Sequence, residues 1–253
     1  DQAPFGEDNY LTRHLSPWRR VLNLGIVTHR SRCSSQRLVM PHRIVLIHAV
    51  PMAVQPVASA FASAWPEAET VNLLEDSLSR DRATTGRLDR AMMDRFRVLS
   101  DYALSIGADG ILFTCSAFGP AIEMVARDAP VPVLKPNEAM FDAALDIGTR
   151  IGMLVTFQGS VASMRDEFEE MAATRKIDAR FEPCLVEEAM AELRRGDAKR
   201  HNELLAKAAS GLNECDAVML AQFSTAQAKD AVSKVLDIPI LTAPEAAVEH
   251  MKA

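Results

Sequence analysis

The stretch DGILFTCSAFGP at residues 109–120, with its counterpart DAVMLAQFST at residues 216–225, decides the fold of this 253-residue chain. The two stretches lie 107 residues apart, and segments 108–139 and 215–246 align without a gap. The same offset relates Arg43 to Arg150, Pro132 to Pro239 and Glu138 to Glu245. Two copies of one α/β unit predict two similar lobes with a cleft between them. The repeat exposes one asymmetry, because Cys115 in the first copy corresponds to Gln222 in the second.

Each copy alternates short apolar runs with helical patterns, which is typical of βαβ units and a mainly parallel sheet. The predicted strands are 44–48, 70–73, 110–114 and 132–134 in the first copy, and 152–156, 177–181, 217–221 and 239–241 in the second. The predicted helices are 53–64, 86–106, 120–128, 160–173, 187–210 and 226–235. We therefore expect an α/β fold of two pseudo-symmetric lobes, each with a sheet flanked by helices.

Two segments are predicted to connect the lobes, 136–148 crossing between them and 244–253 returning to the first. Lobe 1 then comprises 40–140 plus 244–253, and lobe 2 comprises 141–243. Residues 1–39 differ from the rest, with six Arg, no Lys and clustered Ser. Such a leader is either a transit peptide or a tag or misassigned upstream segment. We favour the second interpretation and expect this segment to be poorly ordered.

Composition narrows the class of protein. The net charge of −6 argues against a nucleic-acid partner, which normally meets a basic face. The sequence contains no run of about 18 apolar residues, so no membrane span is predicted. Four scattered cysteines without ligand spacing indicate a reducing compartment, hence a cytoplasmic protein with neither a disulfide framework nor a metal site. Motifs for nucleotide binding, zinc proteolysis and serine hydrolysis are missing from the sequence.

Ligands of parallel sheets bind beyond the carboxyl ends of the strands, so four loops are candidates: 48–52, 114–119, 156–160 and 222–225. Cys115 follows a buried strand and precedes a helix, where the helix dipole is expected to lower the pKa of the thiol below about 8.5. Nearby N–H groups, with Ser116 and Ala117, would hold a carboxylate or an enolate oxygen. The alternative is a buried, inert cysteine. We expect Cys184, in an irregular stretch, and Cys215 to be structural.

The remaining loops supply polar groups. Thr156, Phe157, Gln158, Gly159 and Ser160 form a candidate carboxylate cradle, although Ser160 alternatively caps the following helix.

His48, followed closely by Pro51, is either an acid–base or ligand-orienting group or a hydrogen-bonded residue at the sheet edge. Gln222, with Phe223 and Ser224, can hydrogen-bond a carboxylate but cannot accept a carbon-bound proton. His201 and His250 are expected on solvated helix surfaces.

These features resemble the aspartate/glutamate racemase superfamily, which includes hydantoin racemases, maleate isomerases and arylmalonate decarboxylases. The resemblance covers about 40–253. It rests on the repeat, on Cys115-Ser116 at a strand end, and on IGMLVT at 151–156 followed by Gly159-Ser160-Val161. Where the family carries a second Gly-Cys-Thr, this chain has Gln222 after the strand DAVMLA.

The resemblance implies a cofactor-independent enzyme, often a homo-oligomer, that acts on a small carboxylate substrate. Two cysteines flank the α-carbon in the family's racemases, and Cys115 would be the thiol retained here. Ser116, the 156–160 loop and His48 would line the substrate pocket in the cleft.

A single thiol permits three roles: protonating an enediolate after decarboxylation, adding to a double bond during cis–trans isomerisation, or serving one face of a racemisation. We predict an isomerase or racemase, with a decarboxylase as the alternative enzyme. A two-lobed binding protein that has lost catalysis is the alternative of another class.

Overall fold

The computed structural model describes residues 41–253, and the prediction for 1–39 lies outside these residues. Two four-stranded parallel sheets are present in this part of the chain. The first sheet contains β1 (Arg43–His48), β2 (Glu69–Leu74), β3 (Gly110–Phe113) and β4 (Val133–Leu134), in the order β2-β1-β3-β4. The second contains β5 (Arg150–Val155), β6 (Arg180–Leu185), β7 (Ala217–Leu220) and β8 (Ile240–Thr242), in the order β6-β5-β7-β8. The repeat seen in the sequence is thus a repeat of sheet topology.

Helices cover the faces of both sheets. They are α1 (Val54–Ala64), α2 (Ser77–Thr85), α3 (Arg90–Ser105), α4 (Gly119–Asp128), α5 (Glu138–Ile147), α6 (Val161–Thr174), α7 (Glu187–Arg194), α8 (Ala198–Ala209), α9 (Lys229–Val232) and α10 (Ala243–Lys252). No helix among the described residues is long and apolar enough to cross a bilayer. The α/β architecture with two lobes and parallel sheets confirms the prediction from the sequence.

Alternate residues of each central strand enter different cores, because side chains of a strand point to opposite faces. Leu46 of β1 and Met153 of β5 belong to one core that both sheets share with α1, α5, α6 and α10. Val45 and Ile47 pack instead against α3 and α4 on the outer face of the first sheet. Leu154 packs against α8 on the outer face of the second. The layer of helices between the sheets therefore joins the two lobes through one hydrophobic core.

The repeated Arg and Asp residues have a structural role at the amino ends of the sheets. Asp109 accepts a hydrogen bond from the backbone N–H of Arg43 at 2.8 Å. Its repeat-mate Asp216 accepts from the N–H groups of Thr149 and Arg150, both at 2.8 Å. These N–H bonds are the largest cause of the lowered pKa of Asp216. The Asp residue that recurs in both copies thus fixes the start of the first strand in each lobe.

Local signals change two predicted helices, one at its start and one in its middle. The helix expected over 86–106 starts only at Arg90, where Asp89 caps it by accepting from Met92 N–H at 2.9 Å. Gly86, with φ of 66°, ends the preceding α2, which the sequence analysis missed. The helix expected over 187–210 breaks at Gly196, with φ of 87°, and restarts behind the N-cap Asp197. In both lobes a glycine and an aspartate outweigh the continuous apolar periodicity.

Two further boundaries differ from the prediction. The strand expected at 177–181 runs instead over Arg180–Leu185, so Cys184 lies in an edge strand rather than in an irregular stretch. Pro183 fits there because an edge strand leaves some N–H positions unpaired. The helix expected over 226–235 is divided between the end of the 3-10 helix Phe223–Ala228 and the four-residue α9.

Candidate active site

The four candidate loops share one backbone plan. Directly after its strand, each loop turns into a short 3-10 helix: Pro51–Ala53 after β1, Ser116–Phe118 after β3, Gln158–Ser160 after β5 and Phe223–Ala228 after β7. The first N–H groups of such a turn have no partner within it. Each carboxyl edge therefore presents backbone donors beside the candidate side chains.

Cys115 lies at the residue that precedes the 3-10 helix Ser116–Phe118, and it is partly exposed. Its neighbours at the outer face of the first sheet are mostly apolar. The lining of the void around it consists of Ile47, His48, Ala49, Leu78, Phe96, Phe113 and Phe118. This void is too narrow for a water molecule. The thiol is thus surrounded by packed hydrocarbon contributed by the first lobe.

Burial raises the pKa of the Cys115 thiol, and the expected lowering of this pKa is wrong. The backbone N–H of Ala117 and the side chain of Ser79 act in the opposite direction, but burial is the larger effect. The helix dipole contributes little because α4 begins only at Gly119, beyond the 3-10 turn. Cys115 is therefore a protonated thiol at neutral pH.

His48 is fully buried, and both of its ring nitrogens have partners. Its Nε2 lies 2.9 Å from Oδ1 of Asn72, and its Nδ1 lies 2.9 Å from Oγ1 of Thr114. Because the amide oxygen only accepts, Nε2 carries the hydrogen and the Thr114 hydroxyl donates to Nδ1. Burial lowers the pKa of His48, against a smaller opposite effect of Asn72. This geometry supports the hydrogen-bonded alternative, with a neutral imidazole holding the ends of three strands together.

Gln222 is the centre of the polar cluster in the second lobe. Its Oε1 accepts from the N–H and the hydroxyl of Thr156, at 3.2 and 3.1 Å. Its Nε2 donates to the hydroxyl of Ser160 at 3.0 Å. Ser160 in turn donates to the carbonyl of Phe157 at 2.9 Å and makes no N-cap hydrogen bond, so the capping role considered for it is wrong. The fold has brought three predicted site residues together around one amide.

The other predicted residues differ in exposure. Phe157, Gln158 and Gly159 are exposed, and the Phe157 ring covers Gly159, where a Cβ would lie 2.7 Å from two ring carbons. Ala117 and Pro51 are exposed as well, and Ser116 is half-buried. Phe223 and Ser224 are buried, with Phe223 in the core that the sheets share.

One contact joins strand-end loops of different lobes. The 3-10 helix Pro51–Ala53 packs against the 3-10 helix Phe223–Ala228. The void at Cys115, by contrast, has no lining residue from the described part of the second lobe. The structure thus places Cys115 and Gln222 in two separate groups of side chains.

Sequence reasoning missed several neighbours of the site. Asn72 comes from an edge strand, and Ser79 from the unpredicted α2, where it also donates to the carbonyl of Ala49 at 3.0 Å. Thr225, by contrast, lies in the predicted loop 222–225, and its hydroxyl accepts from the N–H of Gln222 at 3.2 Å. A polar residue inside an otherwise apolar strand was a usable signal for Asn72. Ser79 had none, because its role depends on how α2 folds back over the loop.

Glu167 is a further missed residue, located on α6 of the second lobe. A Cβ at Gly119, four residues after Cys115, would lie 3.3 Å from its Oε1. Burial raises the pKa of Glu167 to about 7, although Lys135 opposes this. Lys135 itself pairs with Glu123 at 2.9 Å. A carboxyl group from lobe 2 therefore faces the Cys115 loop of lobe 1.

His201, His250 and Cys215 were predicted to lie outside the site. His250 is exposed as expected, but His201 is fully buried, and the expectation of a solvated side chain is wrong. Its side chain is buried because α8 packs this face against α7 and β5. Its Nδ1 lies 2.8 Å from Oδ1 of Asn202. Cys215 is buried, and burial raises its pKa to about 11. Among the described residues, no group of three or more His, Cys, Asp or Glu side chains is arranged to hold a metal ion.

Two parallel four-stranded sheets of identical order, with candidate residues at their carboxyl ends, are the architecture of the racemase fold. The model of the Asp/Glu/Hydantoin racemase family matches residues 31–251, and the chain belongs to this family. No curated protein sequence matches the chain.

Solved racemase structures are similar in fold. A glutamate racemase from Bacillus anthracis superposes with a TM-score of 0.63 at 14% identity, covering 84% of this chain and 81% of the other. An aspartate racemase from Picrophilus torridus gives 0.62 at 16%, covering 83% and 92%. An allantoin racemase from Pseudomonas fluorescens gives 0.61 at 18%, covering 83% and 89%. At these identities the likeness shows the shared fold.

Proposed function

We propose that this protein is a cofactor-independent isomerase of the racemase type that transfers a proton at the carbon next to a carboxylate of a small substrate. Cys115 is the catalytic thiol. The observation that carries the proposal is the position of this thiol in a family member: it lies two residues after the end of β3, and the N–H of Ala117 approaches its sulfur. An N–H in this position stabilises the thiolate and, after proton transfer, an adjacent oxyanion.

In the proposed reaction one thiol removes the proton from the substrate. The Cys115 thiolate takes the α-proton and becomes a thiol, while the electron pair of the C–H bond moves into the carboxylate to form an enediolate. A water molecule on the opposite face gives a proton to the α-carbon, which inverts this carbon and restores the carboxylate, and the Cys115 thiol then gives its proton to the resulting hydroxide. Ser116 and the cluster of Thr156, Ser160 and Gln222 provide the hydroxyl and amide groups that hold the carboxylate during this cycle.

A cofactor-independent decarboxylase is the second candidate, and two observations favour it. The raised pKa keeps Cys115 protonated, which suits a thiol that only delivers a proton to an enediolate. Gln222, opposite it in the repeat, has no acid–base capacity, and its amide is already engaged by Thr156 and Ser160. In this reaction the C–C bond to the carboxylate breaks, CO₂ leaves, and Cys115 protonates the carbon.

Further parts of the proposal rest on the sequence and the family. The proposed assembly is a homo-oligomer in the cytoplasm. The proposed lobes are 40–140 plus 244–253 and 141–243, with α5 and α10 in the helical layer between the sheets.

Deuterium incorporation tests the proposed function and separates it from its alternatives. The protein is incubated in D₂O with amino acids, hydantoins, maleate, and alkyl- and arylmalonates. Deuterium at an α-carbon without net conversion supports the isomerase, and CO₂ release supports the decarboxylase. Binding without either reaction overturns both and favours a binding protein.

Substitution of the thiol identifies the reacting group. Cys115→Ala should reduce turnover at least about 10³-fold without loss of the fold, because no described neighbour at the void supplies another nucleophile. The matched control is Cys184→Ala, on the edge strand β6, which should keep activity. Full activity of the Cys115 variant would refute the mechanism.

A further inference from the structure

The loops at the carboxyl edges of the sheets are free of formal charge. Residues 48–52, 114–119, 156–160 and 222–225 contain no Lys, Arg, Asp or Glu. His48, the one side chain among them that becomes a cation when protonated, is neutral because burial lowers its pKa. The polar groups that remain are hydroxyls, amides and backbone N–H groups, which can hold one carboxylate.

Cationic side chains that flank these loops pair with acidic ones. Glu75, just after β2, forms an ion pair with Arg95. Lys135, just after β4, pairs with Glu123 at 2.9 Å. On the second sheet, Lys229 pairs with Glu245 at 2.6 Å. A second carboxylate on the substrate would have to compete with these acidic partners for a cation.

Apolar side chains are exposed at the same edges. Phe157 is 54% exposed, and its ring is held in place over Gly159, where no larger residue would fit. Leu74 and Leu185, the last residues of β2 and β6, are 49% and 37% exposed. Their register partners are His48 and Val155, so they end level with the central strands that carry the loops. The edge that presents the carboxylate-binding groups thus also presents apolar surface.

We infer that the substrate carries a single carboxylate, or an equivalent ring amide, together with an uncharged apolar substituent, and that Phe157 contacts this substituent. This inference rests on the proposed function and specifies its substrate class. An acidic substituent is disfavoured because a desolvated carboxylate without a cation partner is costly. An apolar substituent is favoured because it covers an aromatic ring that water otherwise surrounds.

Matched substrate pairs test the inference. Norvaline is compared with glutamate, and 5-benzylhydantoin with 5-(2-carboxyethyl)hydantoin, by kcat/KM for α-proton exchange. We expect the neutral member of each pair to react at least about 10²-fold faster, a difference typical of an unpaired buried charge. An acidic member that reacts as fast as its neutral partner, or faster, overturns the inference.

Equilibrium binding separates this inference from the proposed function. The same pairs are titrated calorimetrically into the wild type and into Cys115→Ala, where chemistry is blocked. Tighter binding of the neutral members supports the substrate class even when no compound exchanges its proton, in which case the proposed function fails by itself. Tighter binding of the acidic members overturns the substrate class even when exchange occurs.

Substitutions at Phe157 assign the contact. Phe157→Ala should weaken binding of 5-benzylhydantoin about tenfold, and Phe157→Leu should restore most of it, since an apolar contact tolerates another apolar side chain. Phe157→Arg should reduce the preference for neutral members by adding the missing cation. Tyr102→Ala is the matched control, because Tyr102 is an aromatic residue 53% exposed on α3. Unchanged binding in all three Phe157 variants would show that the ring does not contact the substrate.

Discussion

At the scale of single residues, the asymmetry between Cys115 and Gln222 has a structural counterpart. The thiol sits among aromatic rings of the first lobe, whereas the amide sits in a hydrogen-bonded cluster with Thr156 and Ser160. The repeat in the sequence shows that the positions correspond but not that their surroundings differ. That difference arises because Phe96 and Leu78 cover the first loop from α3 and α2.

The pH dependence of turnover should follow the Cys115 thiol. Since burial raises its pKa, the thiolate fraction is small at neutral pH and grows as the pH rises beyond the usual value of about 8.5. For an isomerase that uses the thiolate as base, kcat/KM should therefore increase about tenfold per pH unit between pH 7 and 8.5. A decarboxylase that uses the thiol as acid should instead lose activity as the thiol ionises.

Initial rates from pH 6 to 10 check this expectation. Cys184→Ser is the control and should show the wild-type profile, because Cys184 lies on an edge strand. A rate that is already constant below pH 8 would contradict a thiol with raised pKa as the titrating group.

At the scale of secondary structure elements, glycine and N-cap residues determine the helix boundaries more strongly than the apolar periodicity does. Apolar spacing predicted a helix from residue 86 in the first copy and a continuous helix over 187–210 in the second, but Gly86 and Gly196 adopt positive φ and Asp89 and Asp197 cap new helices. In the first copy Gly86 ends α2, which carries Ser79 to the thiol. Glycine and N-cap signals were present in the sequence, and they decide the boundaries because a left-handed residue ends a helix whatever follows.

The junction between α5 and β5 should be intolerant of a side chain at Gly148. A Cβ there would overlap the side chain of Asp216, whose carboxylate holds the N–H groups of Thr149 and Arg150. We expect Gly148→Ala to lower the free energy of unfolding by about 1–3 kcal/mol, the usual range for overpacking. Urea denaturation followed by circular dichroism measures this change.

Gly211→Ala is the matched control for that substitution. An added Cβ at Gly211 meets no atom within 4 Å, so its stability should stay within about 0.5 kcal/mol of the wild type. Equal stability of the Gly148 and Gly211 variants would show that Asp216 moves aside without cost.

At the scale of the whole molecule, the two lobes are parts of one compact unit. Their inner sheet faces share a core with α1, α5, α6 and α10, so neither sheet can lose this layer without exposing the apolar face of the other. Polar contacts cross the same junction, where Glu167 of α6 faces Gly119 and lies near Lys135. Glu123, Glu138 and Glu170 are the other charges acting on it.

Glu167 should make the stability of the molecule depend on pH. Its pKa is about 7 in the folded protein, against 4.5 for an ordinary glutamate, so the fold favours the protonated form. Below pH 4.5 the group is protonated in both states and has no effect on stability. As the pH rises from 4.5 to 7 the folded state is increasingly penalised, and above 7 the penalty stays constant.

Glu167→Gln removes this penalty. We expect the variant to be more stable than the wild type by roughly 1–3 kcal/mol at pH 8, with the difference vanishing near pH 4. Thermal unfolding across this range checks the prediction, and Glu249→Gln, at an exposed position of α10, is the control. A destabilised variant at pH 8 would show that the attraction of the Lys135 charge outweighs desolvation.

The order of elements, the parallel sheets and the strand-end loops were readable from the amino-acid sequence, because periodicity, repeats and turn residues act over a few neighbouring positions. The protonation states of the site residues were not readable from the sequence. His48 is neutral because it is buried, burial keeps the Cys115 thiol protonated, and burial raises the pKa of Glu167 on α6. Protonation states are set by desolvation and hydrogen-bond partners, and chain segments far apart in sequence supply both only once they have packed together.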